Sequence, residues 1–451
     1  MGNSGTNLMT EGKISSKIIQ FALPIFWGNL FQQLYSLVDG LVVGNFVGME
    51  ALAAISSTGS LTFLIIGLFN GIFMGSSVVI SKYFGAGDDE KVSKAIHTDI
   101  GFALICGVLM TLLGIFVAPS ILRLMKTPDE IFDLANQYLT LHFAGIMTIA
   151  LYNTASGIFQ AVGDSKHPLY YLIISSVSNI VLDVLFVGVF HWGVAGAAVA
   201  TIIAQLLSVI LSFWKLMHID AVHKVSLGKI CLDKEILKEI IGIGLPSGVQ
   251  NSVIGFANVI VQANINIFGA AAVAGYGASA RLEGFVFIPI TSLALAMSTY
   301  EGQNLGARNY ERAKKGADFG IISSIVLAET IGIITFILAP QLIELFTTDP
   351  DAVAVGALKN RTTALFYFAL ALSHCFAGIL RGAGKSKVPM FVMLGTWCIF
   401  RVLYIEIATY FIKDIVVVFW AYPITWIMST VIFFIYYLKS DWLHGFEKHT
   451  R

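Results

Sequence analysis

The chain has 451 residues, of which 56% are hydrophobic and only 12% are charged, and its formal net charge is zero. Soluble globular proteins are about a quarter charged and less than half apolar. This composition therefore excludes a soluble enzyme and predicts an all-α integral membrane protein. No excess of positive charge supports nucleic-acid binding. The four cysteines are scattered without a CxxC pair, so they indicate neither a disulfide framework nor a zinc site.

The N-terminal residues 1–17 are polar and lack the apolar core and cleavage site of a secretory signal peptide. Farther along, mostly apolar stretches of about 20 residues, the length that spans a bilayer as a helix, occur twelve times. Six of them belong to each half of the chain. The predicted spans cover residues 18–42, 52–81, 96–118, 132–157, 168–190, 193–216, 240–266, 273–299, 316–339, 358–380, 388–411 and 414–438.

Lysines and arginines are distributed unevenly between the two sets of connections. Both termini and the connections from even-numbered to odd-numbered spans hold 21 of the 28 Lys and Arg residues. Cytoplasmic loops carry the excess of positive charge in membrane proteins, so we expect a multi-pass protein of the plasma (inner) membrane with both termini cytoplasmic. The opposite side holds five: Arg123, Lys126, Lys359, Arg361 and Lys413.

Two loop motifs of the first half recur in the second half, and both recur at the same offset along the chain. Residues 84–90 resemble 305–311, and residues 163–168 resemble 384–389. Each half has an even number of spans, so both halves begin and end on one side and are predicted to be parallel repeats. The predicted organisation is an N-lobe at 1–215 (spans 1–6), a cytoplasmic linker at 216–239, and a C-lobe at 240–451 (spans 7–12) that ends in a short cytoplasmic tail.

Two similar lobes around a central path are the usual frame for alternating access in secondary transporters. The sequence has no GxxxxGK[ST] nucleotide-binding motif and no TVGYG selectivity filter. The energy would then come from an ion gradient, which requires a buried group that binds H⁺ or Na⁺ differently in two states. Pro24 in the first span and Pro246 in the seventh are candidate kinks in this frame.

Acidic residues inside the spans are the first candidates for such a group, because a charge in mid-bilayer costs about 2.5–3.5 kcal/mol on insertion scales. Asp39 lies in the first span and Asp183 in the fifth, and both are expected in the outer half of the membrane. Asn179 precedes Asp183 by one helical turn, and Thr201 is expected at a compatible depth in the sixth span. Two carboxylates, an amide and a hydroxyl suit a proton site and equally a Na⁺ site. The alternatives are an interfacial position for Asp39 and a purely structural hydrogen bond for Asp183.

Other polar residues, in the second half, are candidates for lining a cavity. Arg281 and Glu283 are two residues apart and do not face each other on a helix, and both structural and functional interpretations stay open. The seventh span is rich in amides, among them Gln250 and Asn258. Such amides line a cavity or join helices through hydrogen bonds.

A series of short motifs is specific in its order and spacing, although each motif alone is weak. With these motifs the chain resembles the multidrug and toxic compound extrusion (MATE) family over nearly its whole length. They are Leu23-Pro24, Leu37-Val38-Asp39, Val43-Gly44, Gly85-Ala86-Gly87, Gly163-Asp164-Ser165, Asn179-xxx-Asp183, Gly193-Val194-Ala195-Gly196-Ala197-Ala198, Gly302-Gln303-Asn304-Leu305-Gly306-Ala307 and Leu380-Arg381-Gly382-Ala383-Gly384.

The resemblance implies twelve transmembrane helices in two six-helix lobes and cation-coupled efflux of bulky, often cationic amphiphiles. In the DinF-like branch of the family, Tyr35 and Asn153 would line the cavity next to the cation site. The NorM-like branch carries acids in the seventh and tenth spans where this chain has Ile254 and Leu370. The resemblance is therefore closer to the DinF-like branch, and a C-lobe cation site of the NorM type is not expected. The residues that match the N-lobe cation site are Asp39, Asn179, Asp183 and Thr201.

These features together predict a secondary active multidrug efflux transporter that exchanges H⁺ or Na⁺ for small-molecule drugs or toxic compounds. It would act as a monomer in the lipid bilayer, without a covalent cofactor. A lipid-linked saccharide or lipid flippase of the wider superfamily is the alternative, although flippases tend to have basic cavities and extra spans. A membrane-embedded enzyme would need a nucleophile–base pair or a metal motif such as HExxH, and the sequence has neither.

Overall fold

The computed structural model describes residues 8–124 and 127–446. All regular secondary structure in these two ranges is helical, which confirms the prediction of an all-α protein. The helices are α1 (Ile14–Phe46), α2 (Met49–Gly85), α3 (Asp89–Leu124), α4 (Asp129–Ala144), α5 (Ile146–Ala161), α6 (Lys166–Asp183), α7 (Gly193–His218), α8 (Lys234–Asn266), α9 (Ala270–Gly306), α10 (Tyr310–Ile337), α11 (Ala339–Glu344), α12 (Pro350–Ala364), α13 (Tyr367–Gly382), α14 (Lys387–Met393), α15 (Arg401–Phe411) and α16 (Ile415–Lys439), with π-helices at Val184–Val189 and Leu394–Phe400 and a 3₁₀ turn at Leu227–Lys229.

Each predicted span lies, to within two residues at its ends, inside one of these helices or inside a helix that is interrupted. The fourth span comprises α4 and α5, which are separated at Gly145. The tenth span comprises α12 and α13, which meet at an angle of 58°. By length and hydropathy alone, eight helices of the described ranges are able to cross a membrane, or nine if the bent pair forms one span. The protein is a multi-pass helical membrane protein.

The chain divides into two compact units, and the N-terminal unit consists mainly of Leu23–Gly244. Its helices approach closely where small residues face each other. A Cβ atom at Gly75 of α2 would lie 2.4 Å from the backbone nitrogen of Gly244. Phe143 of α4 fills the space left by Gly114 of α3, where a Cβ atom would lie 2.1 Å from its ring. These contacts hold the helices of this unit at fixed distances.

The C-terminal unit consists of Met9–Ala22 and the chain from Leu245 onward. Close packing of backbones recurs here, because a Cβ atom at Gly378 of α13 would lie 2.3 Å from the carbonyl oxygen of Ala294 in α9. The large side chain of Trp426 in α16 is fully buried in this unit. The helices α9, α12, α13 and α16 are thereby packed around a common interior.

The division between the units falls inside helices α1 and α8 rather than in loops. It follows Ala22 in α1 and Gly244 in α8, in each case two residues before a proline, Pro24 or Pro246. A proline inside a helix removes a backbone hydrogen bond and favours a bend, so the two candidate kinks coincide with the ends of the compact units. The functional lobe boundaries at 1–215, 216–239 and 240–451 stay a prediction.

Candidate ion-coupling site

Helices α1, α6 and α7 of the N-terminal unit carry the four residues predicted to bind the coupling ion. Helices α6 and α7 pack closely, and the Ser175 hydroxyl of α6 donates to the carbonyl oxygen of Ala204 in α7 at 2.7 Å. Helix α1 approaches them through Val42, which packs in one apolar cluster with Val187 after α6 and Ala197 of α7. This packing brings side chains from three separate spans to the same place.

All four predicted residues meet in this place. Asn179 and Asp183 lie one turn apart at the end of α6 and are 2% and 0% exposed. Nδ2 of Asn179 donates to Oγ1 of Thr201 at 3.3 Å, and the Thr201 hydroxyl donates to the carbonyl oxygen of Ala197 at 3.1 Å. The carboxyl group of Asp39 in α1 is within hydrogen-bonding reach of the carboxyl group of Asp183. Their role in ion coupling stays a prediction.

The oxygen atoms of this group have few hydrogen-bond donors. Among the side chains and backbone groups that the structure describes, no donor reaches Oδ1 of Asp39, either carboxyl oxygen of Asp183, or Oδ1 of Asn179. Buried polar atoms are normally hydrogen-bonded, and two adjacent carboxylates repel each other unless a proton or a cation lies between them. The arrangement is therefore suited to take up a proton or a small cation.

Two tyrosines lie next to the acidic pair, and only one of them was predicted. Tyr35 precedes Asp39 by one turn of α1, and Tyr138 of α4 lies within electrostatic range of both acids. A cavity of about 20 Å³, enough for one water-sized group, is lined by Tyr138, His142 and Thr201 among others. Sequence analysis missed Tyr138 because a single tyrosine in an apolar span is ordinarily a packing residue.

Two of the predicted cavity residues make contacts of their own. Nδ2 of Asn153 in α5 donates to Oδ1 of Asn70 in α2 at 3.0 Å, so this amide joins two helices of the N-terminal unit. Gln250 of α8 is buried, and its Nε2 lies 2.8 Å from Sδ of Met393 in α14. Both amides join helices, which is one of the two roles expected for amides inside spans.

The remaining predicted residues separate into exposed and buried ones. Asn258 of α8 and Arg281 of α9 are exposed. Glu283, two residues after Arg281, is buried, and its carboxylate pairs with Nζ of Lys359 in α12 at 2.8 Å. The charge count along the sequence assigned Lys359 to an outer connection, but its side chain is 0% exposed. It belongs to a buried ion pair, not to a loop.

Aromatic rings and a second cation surround this ion pair. Nζ of Lys359 lies 4.8 Å from the ring centroid of Tyr276 and 5.3 Å from that of Tyr422, and the two tyrosine hydroxyls are hydrogen-bonded at 2.7 Å. The guanidinium of Arg401 lies 4.5 Å from the centroid of Tyr422 and donates to Oγ1 of Thr425 from Nη2 at 2.8 Å. We refer to these residues as the C-terminal cluster: Tyr276, Ser279, Glu283, Lys359, Asn360, Arg401, Tyr422 and Thr425.

Comparison with known proteins identifies the family. The MatE family model matches residues 24–185 and 246–407, well over half of the chain. The chain belongs to the MatE family. The two matched stretches begin at Pro24 and Pro246, and one lies in each half of the internal repeat. Family membership makes the chain a transporter rather than an enzyme, whereas its assignment to the DinF-like branch stays a prediction.

Individual MatE proteins resemble the chain over most of its length. The probable multidrug resistance protein YoeA of Bacillus subtilis is 27% identical over 449 residues, which cover 97% of each chain. The multidrug export protein MepA of Staphylococcus aureus (strain MSSA476) is 25% identical over 377 residues, 84% of this chain and 83% of MepA. A solved MOP superfamily transporter from Pyrococcus furiosus covers 97% of each chain with a TM-score of 0.90 at 24% identity. The last comparison confirms the MATE-like fold.

Proposed function

We propose that this MatE transporter exports small amphiphilic or cationic compounds by antiport with H⁺ or Na⁺. Relatives that are named multidrug resistance and multidrug export proteins support this class of substrate. The observation that carries the coupling role is the group of buried oxygen atoms without donors at Asp39, Asn179 and Asp183. Such a group is stable only when a proton or cation supplies the missing positive charge.

Coupling would follow from the charge of the acidic pair. When a proton or Na⁺ binds between Asp39 and Asp183, their repulsion is removed and α1 and α6 are able to stay close together. When the ion leaves, both carboxylates are negatively charged. They then repel each other and attract a cationic substrate. Ion and substrate then favour different states of the transporter, and an ion gradient shifts the population between these states.

Both ions fit the same side chains in different ways. A proton needs only the two carboxyl groups, which would share it. Na⁺ would need further oxygen ligands, and Oδ1 of Asn179 and Oγ1 of Thr201 are the neighbouring groups of the right kind. In this proposal the monomer lies in the plasma (inner) membrane, with both termini on the cytoplasmic side as the distribution of Lys and Arg indicates.

The test is export of ethidium from proteoliposomes that contain the full chain, under H⁺ and Na⁺ gradients imposed separately. We expect one of the two gradients to drive export by the wild type. Asp39→Asn and Asp183→Asn should each reduce the driven component to background, because each removes half of the acidic pair. Glu406→Gln, which removes an exposed carboxyl of α15, is the matched control and should retain export. Gradient-driven export at the wild-type rate in both Asp variants would overturn the coupling role.

A further inference from the structure

The C-terminal cluster contains more positive than negative charge. Lys359 and Arg401 are 0% and 2% exposed, and Glu283 is 9% exposed. In the part of the chain that the structure describes, Glu283 is the one carboxylate within ion-pair distance of Lys359, and Arg401 has none. The other ionisable groups next to the cations are the phenols of Tyr276 in α9 and Tyr422 in α16 and the thiol of Cys398, which lies close to Arg401.

Both cations make close polar and aromatic contacts inside the cluster. Nζ of Lys359 donates to Oγ of Ser279 at 3.0 Å in addition to its contact with the Glu283 carboxylate. The two tyrosine rings beside it attract a cation through their π-electrons. An arginine side chain does not lose its proton in proteins. With two basic side chains and one acidic side chain, the cluster has a formal charge of one positive unit.

A buried positive charge without a counter-charge is unfavourable, since its desolvation costs several kcal/mol. Cation–π contacts and the Thr425 hydroxyl offset part of this cost, but they do not neutralise the charge. A donor without an acceptor lies in the same cluster. Oδ1 of Asn360 accepts from the Ser279 hydroxyl at 2.6 Å, whereas Nδ2 of this fully buried amide has no hydrogen-bond partner within the described ranges.

We propose that the C-terminal cluster binds a monovalent anion, either a free halide or the carboxylate group of a transported amphiphile. Arg401 and Lys359 supply the charge that attracts it, and Nδ2 of Asn360 supplies a donor. An anion has one negative charge and accepts hydrogen bonds without needing to donate, which matches both the surplus charge and the donor without an acceptor. This inference concerns a different unit and a different ion from the proposed coupling site, and it does not depend on that site.

The internal repeat supports a binding role at this position. When the two halves are aligned on their shared loop motifs, Lys359 takes the place of Tyr138, and Tyr422 takes the place of Thr201. Tyr138 and Thr201 line the cavity beside the acidic pair of the N-terminal unit. Part of the C-terminal cluster therefore lies at the repeat equivalent of this cavity, with a cation, Lys359, where the N-terminal unit has Tyr138.

The experiment measures thermal unfolding of the full chain in phosphatidylcholine nanodiscs while sodium gluconate is replaced by sodium chloride. Sodium and ionic strength stay constant, so only the anion changes. A ligand that binds the folded state raises Tm in a saturable manner. A second series uses sodium benzoate as an amphiphilic carboxylate. We expect a saturable rise with at least one of the two anions: a rise with chloride identifies a halide site, and a rise with benzoate alone identifies a carboxylate site.

Variants test whether the anion binds at the cluster. Arg401→Gln should weaken the apparent anion affinity by about tenfold or more, as expected for the loss of a charged hydrogen-bond donor. Arg361→Gln removes a charge from the exposed side of α12, two residues from Lys359, and should leave the anion effect unchanged. An unchanged anion effect in Arg401→Gln, or no effect of either anion on the wild type, overturns the proposal.

A second measurement covers the case in which Arg401→Gln does not fold. Wild-type crystals grown with sodium bromide or with 4-iodobenzoate would locate the heavy halogen by anomalous diffraction. We expect a peak in contact with the C-terminal cluster for the anion that raises Tm. A bound anion located elsewhere, with no peak at Lys359 and Arg401, overturns the proposal.

Discussion

Around Asp183 the N-terminal unit gathers oxygen atoms without donors, whereas around Arg401 the C-terminal unit gathers two cations and one carboxylate. The equivalent helices differ in the same way. At the offset of the loop motifs, Asn179 and Asp183 correspond to Phe400 and Tyr404, whose rings stack with their centroids 6.3 Å apart. Each half therefore has its buried charges at positions where the other half has uncharged side chains, as Asp183 corresponds to Tyr404 and Lys359 to Tyr138.

The two charged positions share one feature of the backbone. The π-helix Val184–Val189 begins directly after Asp183, and the π-helix Leu394–Phe400 ends directly before Arg401. A π-helical turn has wider spacing than an α-helical turn and often occurs at functional sites. Asp183 thus precedes the π-helix of the N-terminal unit, whereas Arg401 follows the π-helix of the C-terminal unit. The two halves therefore share a π-helix beside a buried ionisable side chain, and the sequence of each half decides whether that side chain is acidic or basic.

The largest effect on stability is expected in the C-terminal unit. Lys359→Met leaves the buried Glu283 carboxylate without its partner, and breaking a buried pair in this way costs about 3–5 kcal/mol. The double variant Lys359→Met, Glu283→Gln removes both charges and should recover most of the loss. Thermal unfolding in nanodiscs measures both variants. A single variant as stable as the wild type would show that the pair is not charged.

Removing a buried charge in the N-terminal unit should change the stability in the opposite direction. Asp183→Asn removes one of two adjacent acids and relieves their repulsion. We therefore expect the free energy of unfolding to rise by between zero and about 1 kcal/mol, whereas a typical substitution lowers it by about 1 kcal/mol. The effect should be clearest in sodium-free alkaline buffer, where neither a proton nor Na⁺ neutralises the pair. Asn179→Asp, which adds a third carboxylate nearby, is the reverse control and should lower Tm. A large loss of stability in Asp183→Asn would contradict the repulsion between the two acids.

Hydropathy, and the depth of residues in the membrane counted from helical rise, were sufficient to predict the spans and part of the candidate ion-coupling site. Apolar stretches predicted the spans because a bilayer requires continuous helices of a fixed length. The contact between Asn179 and Thr201 followed from counting helical rise along two neighbouring spans. Helical spacing also predicted that Arg281 and Glu283 would not face each other, and one is exposed while the other is buried.

The C-terminal cluster could not be predicted in this way. Lys359 lies at the edge of an apolar stretch, where a lysine usually extends to the interface. Its burial depends on α12, which begins at Pro350, and on a carboxylate contributed by α9 from a distant part of the chain. Tyr138 was missed for a similar reason, because its proximity to the acids results from the packing of α4 against α1 and α7. Contacts between distant spans leave no local pattern in the sequence.

The smallest effect is expected in the two repeated turns outside the spans, one at Asp164 and one at Lys385. Oδ1 of Asp164 accepts from the backbone N–H groups of Lys166 and His167 at 3.1 and 3.2 Å, and Oδ2 contacts the His167 ring. Burial raises the pKa of Asp164, but the hydrogen bonds and charge of His167 and the backbone N–H groups outweigh this effect, so the net pKa lies below its ordinary value. Its repeat equivalent, Lys385, instead donates to the carbonyl oxygen of Asp441.

Asp164→Asn is therefore expected to destabilise the protein at neutral pH by about 0.3–1 kcal/mol, the usual contribution of an acid at a helix N-terminus. A lowered pKa in the folded state means that this contribution is fully present above the ordinary value of about 3.9. It is lost as the pH falls through the folded-state pKa. The unfolding free energies of the wild type and Asp164→Asn, measured as a function of pH, should thus converge in acid. The unfolding free energy of Lys385→Met should differ from that of the wild type by a constant amount, since lysine stays charged throughout this range. A difference for Asp164→Asn that persists undiminished in strong acid would show that the turn depends on the shape of Asp164 and not on its charge.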